Sequence, residues 1–245
     1  MNFKKKCIII PAYNEFDNIN IILKEIENIE IKNLIIIIVD DSSNSYEKRI
    51  KKSKYQIRYI HRGKKSGRGS AVLSGFSYAL KNLSKQDVYV EMDCDLSHDP
   101  IELKKNLKIF FEKKLDLLIG SRYLKKSKII NWPIKRKIFS RLSNFIAKLM
   151  LGVPVSDYTN GFRLYSYDAT QFITQRCGKI GDGFIVLSEI LVNLYYNNFI
   201  VSETNCKFVN RSRGESSVTV SEIFFSFTGL FKIYKLKNKI KSYKN

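Results

Sequence analysis

Asp93 and Asp95 stand one residue apart at the end of a short apolar run in "YVEMDCDLSHDP", residues 89–100. Alternate residues of a regular strand project to one face, so an Asp-x-Asp at a strand's carboxyl end can aim two hard oxygen ligands at one point. Mg²⁺ or Mn²⁺ bound to substrate phosphates takes ligands of that kind. The plainer alternative is a pair of solvated acids or a helix cap. Asp99, with Pro100 behind it and "IELKKNLKIF" following, fits an N-cap with proline at the first helical position. Asp93 and Asp95 come too early in the chain to cap that helix.

The elements that must position these acids alternate in type. "CIII", "LIIIIV", "IRYI" and "VYVEM" read as strands, and "LDLLIGSRY" as a fifth. Between them, "DNINIILKEIENI" and "GSAVLSGFSYALKNL" carry apolar residues at helical spacing. That order predicts a single α/β domain with a mainly parallel sheet covered by helices on both faces. Ligands of such sheets bind beyond the carboxyl ends of the strands. Polar clusters fall there each time: "PAYNE", Asp40-Asp41-Ser42-Ser43, His61-Arg62-Gly63, Asp93-Cys94-Asp95 and Ser121-Arg122. Beyond Tyr123, "KKSKII" reads as a basic loop. A helix follows Pro133 and sets Arg136, Ser140 and Asn144 along one face. "GDGFIVLSEILVNLYY" is a second helix and "VSETNCKFVNR" a strand.

The net charge of +20, from 43 Lys+Arg against 23 Asp+Glu in 245 residues, calls for an anionic partner: nucleic acid, an acidic membrane surface or phosphorylated substrates. With 44% hydrophobic residues the chain is not of the disordered class. Cys7, Cys94, Cys177 and Cys206 are far apart with no CxxC, which argues against a zinc site or disulfide framework and for reduced thiols in the cytosol. "MNFKKKCIIIPAYNE" reads as a first strand rather than a signal peptide, and no stretch approaches the ~20 apolar residues of a membrane span. The terminal "EIFFSFTGLFKIYKLKNKIKSYKN" combines aromatics with repeated Lys. It suits either an interfacial helix on anionic lipid or a packing helix with a frayed tail. His61, His98, Trp132, Tyr13 and Tyr158 each admit a packing role.

The ordered set "IIIPAYNE", "VDDSS", "GRGSAV", "MDCDLSHDP", "GSRY", "NWPIKRKIFSRLSN", "DYTNGFR", "GDGF" and "RSRGES" resembles the family 2, GT-A-fold glycosyltransferases, most closely the dolichyl- and polyprenyl-phosphate mannosyltransferases. The resemblance implies a Rossmann-like GT-A catalytic domain over residues 1–215 and a C-terminal amphipathic helix and basic tail over 216–245. Pro11, Tyr13, Glu15, Asp41 and Cys94 would then hold the nucleotide, with Asp93 and Arg211 at its diphosphate. Asp95, with Asp93 and Ser97, would hold Mg²⁺ or Mn²⁺. Arg122, Arg136 and Ser140 would gather the acceptor phosphate. Ser97 stands where relatives often carry Gln, and Ser217 where they carry Lys, with Arg213 nearby as its substitute.

The implied reaction is inverting transfer of mannose from GDP-mannose to dolichyl or polyprenyl phosphate at the cytosolic face of a membrane. The enzyme would be peripheral there, with a small membrane subunit as a further partner the resemblance allows. A phosphate acceptor is already largely dianionic at neutral pH and needs positioning rather than a general base. The alternatives are a family 2 transferase using UDP-glucose or another donor on undecaprenyl phosphate or a saccharide, and a basic nucleic-acid-binding protein. The dispersed charge and converging acids disfavour the last, and no nucleic-acid partner is expected.

Overall fold

The structure is a computed structural model and describes residues 3–210 and 220–242. Five strands carry the first half: β1 (Lys6–Ala12), β2 (Leu34–Asp40), β3 (Gln56–His61), β4 (Val88–Glu91) and β5 (Leu117–Ser121). Helices α1 (Phe16–Asn28), α2 (Arg68–Asn82) and α3 (Glu102–Glu112) alternate with them. The second half holds β6 (Lys128–Ile130), α4 (Ile134–Leu151), β7 (Arg163–Tyr165), α5 (Tyr167–Arg176), α6 (Ile185–Tyr196), β8 (Val201–Asn205), β9 (Lys207–Val209) and α7 (Val220–Ser242).

A seven-stranded sheet runs in the order β3-β2-β1-β4-β7-β5-β8, and β6 pairs with β9 in a small separate ribbon. Every pairing in the large sheet is parallel except those of β7, which lies antiparallel between β4 and β5. The sheet is therefore mostly parallel, as the alternation predicts, with one inserted strand that the sequence pattern did not mark. The expected strand "VSETNCKFVNR" divides at Cys206 into β8, which extends the sheet, and β9, which leaves it for β6.

Burial of both faces explains the unbroken apolar runs in β1 and β2. Ile8 and Ile10 point into a core shared with Ile19, Ile22 and Ile26 of α1 and Leu107 and Phe110 of α3. Cys7 and Ile9 point the other way, toward Val72 and Phe76 of α2 and Ile190 of α6. Pro11 is tolerated in this central strand because odd-numbered residues of β1 face β4. Ile9 O accepts the Met92 N–H at 3.2 Å, and β4 itself has ended at Glu91, so the missing donor falls where the sheet opens.

Helix α4 inverts the usual amphipathic arrangement. Its polar side faces inward: Asn144 is buried, donating to Ser140 O at 2.8 Å and accepting the Tyr158 N–H at 2.7 Å. Ile134, Ile138, Leu142, Phe145 and Leu149 form an outward stripe at i, i+4, i+8, i+11 and i+15, each more than half exposed. Helix α7 packs against α6 and α4, burying Leu230 and Ile233, while Phe231 remains exposed. Among the described residues no helix is long and apolar enough to cross a membrane.

Candidate active site

The loops after β1, β2, β4 and β5 meet the segment 159–161 and the start of α4 around a single cavity of about 480 Å³. Pro11, Tyr13, Glu15, Asp41 and Cys94 line it, as do Asp93, Asp95 and Ser97, and Arg122 and Arg136 line it on either side of Trp132. All of these except Trp132, whose sequence reading was a packing role, were sequence candidates for the site, and the fold brings them to one place. Ser140 is the exception: its Oγ is engaged by the Tyr123 hydroxyl at 2.5 Å and it is not on the wall. Arg211, Arg213 and Ser217 lie outside the described residues.

The turn that carries the acids is pinned from below. The backbone N–H of Asp93 donates to His98 Nδ1 at 3.1 Å, which leaves the ring proton on Nε2, donated to Asn160 Oδ1 at 2.9 Å. His98 is fully buried and stacks on Phe162. Its role is to fix the turn. Leu96 takes a φ of 61°, a strained left-handed conformation of the kind found at functional sites. Asp95 Oδ1 accepts the Ser97 N–H at 3.1 Å. His61 is likewise structural, its Nε2 donating to Ser42 O at 2.7 Å, and Tyr158 is a core residue whose hydroxyl donates to Val153 O.

The residues present fit a hard divalent cation. Ser97 Oγ is buried with no hydrogen-bond partner among the described residues, and it lines the same cavity as the Asp95 carboxylate. Among the described residues no cluster of three His, Cys, Asp or Glu side chains gathers elsewhere or here. Such a sparse protein donor set matches a cation that takes its remaining ligands from phosphate oxygens and water. Cys94 is buried and desolvation raises its thiol well above the ordinary range, so it packs rather than reacts.

The two candidate phosphate-binding arginines differ. Arg122 is buried, and its guanidinium is committed to Asp157 through Nε and Nη2, each at 2.7 Å. Burial works against the charge, but the Asp157 charge and hydrogen bonds outweigh it and the net shift is upward. Arg136 lies with its guanidinium 4.1 Å from the centre of the Trp132 ring and donates to Asn210 Oδ1 at 2.9 Å. Trp132 stands between the two, 5.5 Å from Arg122, and its indole N–H is buried without a partner among the described residues. Asp41 is held by Arg62, with Nη2 at 2.7 Å, and by the Ser66 N–H at 2.8 Å, so its carboxylate is pre-oriented.

Sequence reasoning quoted "GRGSAV" without assigning Arg68 a role. Its Nε donates to Asp93 Oδ1 at 2.7 Å and its Nη1 to Glu91. The turn ahead of it needs Gly67, at φ 92°, where a Cβ would sit 2.5 Å from Asp182 O of the "GDGF" loop. Gly161 leaves the space the guanidinium fills: a Cβ there would overlap Arg68 Nη2 and lie 2.6 Å from its Cζ. Gly161→Ala is therefore expected to displace Arg68, lowering stability by about 1–3 kcal/mol and activity by roughly 10²-fold. Thermal melts and turnover measured side by side would show it, and an unchanged variant would mean that Arg68 can move freely.

A mostly parallel open sheet with acids and arginines around one cavity beyond its carboxyl ends is the architecture expected of a GT-A transferase. The sequence profile of Glycosyl transferase family 2 matches residues 7–173, and the chain belongs to that family. It is 32% identical to the dolichol-phosphate mannosyltransferase of Pyrococcus furiosus over 242 residues, 96% of this chain but 65% of that protein's length. It is 30% identical to the polyprenol monophosphomannose synthase of Mycolicibacterium smegmatis, covering 90% of this chain and 83% of that one. Among solved structures, the glucosyl-3-phosphoglycerate synthase of Mycobacterium tuberculosis in complex with Mn²⁺, UDP-glucose and phosphoglyceric acid superposes with a TM-score of 0.68. It is 15% identical, with 95% of this chain and 80% of that one covered, and shares the fold.

Proposed function

We propose that the protein transfers mannose from GDP-mannose to a polyprenyl phosphate, giving the β-mannosyl phospholipid and GDP. The relatives named above support the lipid phosphate and the sugar. The observation that carries the reading is the chemistry of the cavity lining around Trp132. It offers Arg136 and Trp132 beside Arg122, and the nearby acid, Asp157, is fully buried and paired to Arg122. A saccharide hydroxyl would need a general base there, and a dianionic phosphate needs an anion-binding surface. The described carboxylates that line the cavity are Glu15, Asp41, Asp93 and Asp95, and all four would serve the nucleotide and the cation, leaving none as a base.

Tyr13, Glu15 and Asp41 would hold the nucleoside, Glu15 and Asp41 as acceptors for ribose hydroxyls or base N–H groups. Mg²⁺ or Mn²⁺ held by Asp95 and Ser97 would neutralise the charge that grows on the leaving diphosphate. Arg136 would hold the acceptor phosphate in line with the anomeric carbon, and the indole N–H of Trp132 is a further donor at hand. The test is a panel of radiolabelled GDP-mannose and UDP-glucose against polyprenyl phosphate and free saccharide acceptors. Labelled lipid from GDP-mannose alone is the expected result; transfer to a saccharide in preference to the lipid phosphate would overturn the reading.

The enzyme would meet its lipid as a peripheral protein. The outward stripe of α4 begins two residues from Trp132 and is flanked by exposed Lys135, Arg141 and Lys148, a pattern suited to an anionic bilayer surface. Each inserted Leu or Phe is worth about 1.5–3 kcal/mol. Leu142→Glu with Leu149→Glu should accordingly cut co-sedimentation with anionic vesicles at least about tenfold while leaving the melting temperature unchanged. Equal sedimentation of variant and wild type would remove α4 from the membrane contact.

A further inference from the structure

Arg68 enters the cavity from the first turn of α2 and lies between two acids. Its Nε and Nη2 both reach Asp93 Oδ1, at 2.7 and 2.5 Å, and its Nη1 donates to Glu91 Oε1. Glu91 is fully buried, and its other oxygen accepts the Tyr165 hydroxyl at 2.7 Å. Across the ladder from Glu91 stands Arg163, also fully buried, with donors on the carbonyls of Asn160, Leu187 and Tyr158. Two carboxylates, Asp93 and Glu91, and two guanidinium groups, Arg68 and Arg163, thus lie at and behind the cavity wall, and their four formal charges cancel.

We propose that Arg68 is a positioning residue that occupies Asp93 as an internal cation, so that a divalent ion is held through Asp95 and Ser97 and binds well only together with the donor diphosphate. This rests on the metal-dependent transfer proposed above. Arg68 takes Asp93 Oδ1 with two nitrogens, so a divalent ion ligated by Asp93 would use Oδ2 of the same carboxylate and sit close to the guanidinium, against like charge in a poorly solvated place. Asp93 cannot easily swing away from Arg68, because its backbone N–H is tied to His98 and the guanidinium is anchored by Glu91 on its far side. Asp95 and Ser97 lie on the wall two and four residues beyond Asp93, and Ser97 Oγ has no partner among the described residues. Two protein oxygens leave an octahedral ion short of ligands, and a diphosphate supplies them.

Mn²⁺ binding to the full chain, followed by electron paramagnetic resonance with and without GDP, tests this. Wild type should bind Mn²⁺ weakly alone and roughly tenfold or more tightly with GDP, within the usual range of coupling between two ligands. Asp95→Asn should lose more than about a hundredfold in the Mn²⁺–GDP complex, beyond the effect of changing a residue that merely supports a ligand, whereas Asp93→Asn should change it little. Arg68→Gln with Glu91→Gln keeps the buried charges balanced and frees Asp93. It should bind Mn²⁺ without nucleotide about tenfold more tightly than wild type, and Arg68→Lys should restore the wild-type pattern. A structural ion pair alone would not move nucleotide-free Mn²⁺ affinity in that direction. The proposal is overturned if Asp93→Asn weakens the Mn²⁺–GDP complex as much as Asp95→Asn does, a comparison that stands even if the double variant does not fold. It is also overturned if the folded double variant binds Mn²⁺ alone no better than wild type. Failure of the underlying transfer reading looks different: wild type itself would show no gain in Mn²⁺ binding with GDP.

Discussion

Asp95→Asn is expected to abolish transfer in practice, by about 10²–10³-fold or more, the loss typical when a group that stabilises developing negative charge is removed, while the protein melts as wild type does. The substitution keeps the shape of the side chain and leaves a carbonyl that can still accept the Ser97 N–H, so the turn survives. What disappears is the formal charge that would face the cation. The departing diphosphate gains charge as the glycosidic bond breaks, and binding of the ground state depends on that charge less than the transition state does. The defect should therefore appear in kcat more than in KM for the donor. Circular dichroism with donor titrations separates these: a variant that keeps more than about a tenth of wild-type kcat would show that Asp95 does not stabilise the leaving group to the extent expected.

The strands that carry the acids were readable because parallel strands buried on both faces leave unbroken apolar runs, as in "CIII" and "LIIIIV". The antiparallel β7 was not. It is three residues long, "RLY", and its first residue is an arginine that is fully buried, so neither length nor hydrophobicity announces a strand. Cys206 gives no sign that the chain changes sheets there. Helix α4 was legible as a helix, with Arg136, Ser140 and Asn144 correctly set on one face. Which face points inward is a tertiary fact, and here the polar one does.

The site shows the same division. Residues at strand ends converge because the topology brings strand ends together, and spacing along the chain is enough to propose it. The pairings that set their charge run across the chain. Arg68 meets Asp93 and Glu91 over separations of 25 and 23 residues, and Arg122 meets Asp157 over 35. The glycine at 161, without which Arg68 could not lie where it does, has no local signal beyond the "TNGF" turn that contains it. Arginines in this sequence read as free positive charge; the structure shows that much of that charge is spent on organising acids, as Arg122 does with Asp157, while Arg136 lies against Trp132 and donates to Asn210 Oδ1.

That distinction makes Asp157→Asn the second large effect. Asp157 is fully buried, and its carboxylate takes the Arg122 guanidinium on both oxygens and the N–H groups of Arg122 and Asn160 at 2.9 and 3.0 Å. Burial alone would raise its pKa, but the Arg122 charge and hydrogen bonds prevail and hold it below the usual carboxylate range. A carboxyl depressed on folding contributes stability that is present above its unfolded pKa of about 3.9 and lost as pH falls below that value toward the folded one. The asparagine variant should therefore show less acid-side loss than wild type, from a lower starting point. Breaking a buried pair on one side leaves an uncompensated charge and costs about 3–5 kcal/mol, which for a chain of this size lowers the melting temperature by roughly 6–20 °C. Adding Arg122→Met removes the orphaned charge and should restore much of the lost stability, since a buried pair replaced on both sides is often close to neutral. Transfer should not return with it if the guanidinium wall helps to seat the acceptor phosphate, and should return in full if Arg122 serves the fold alone. A melting temperature for Asp157→Asn within about 2 °C of wild type would mean that solvent reaches the pair and that its burial contributes little.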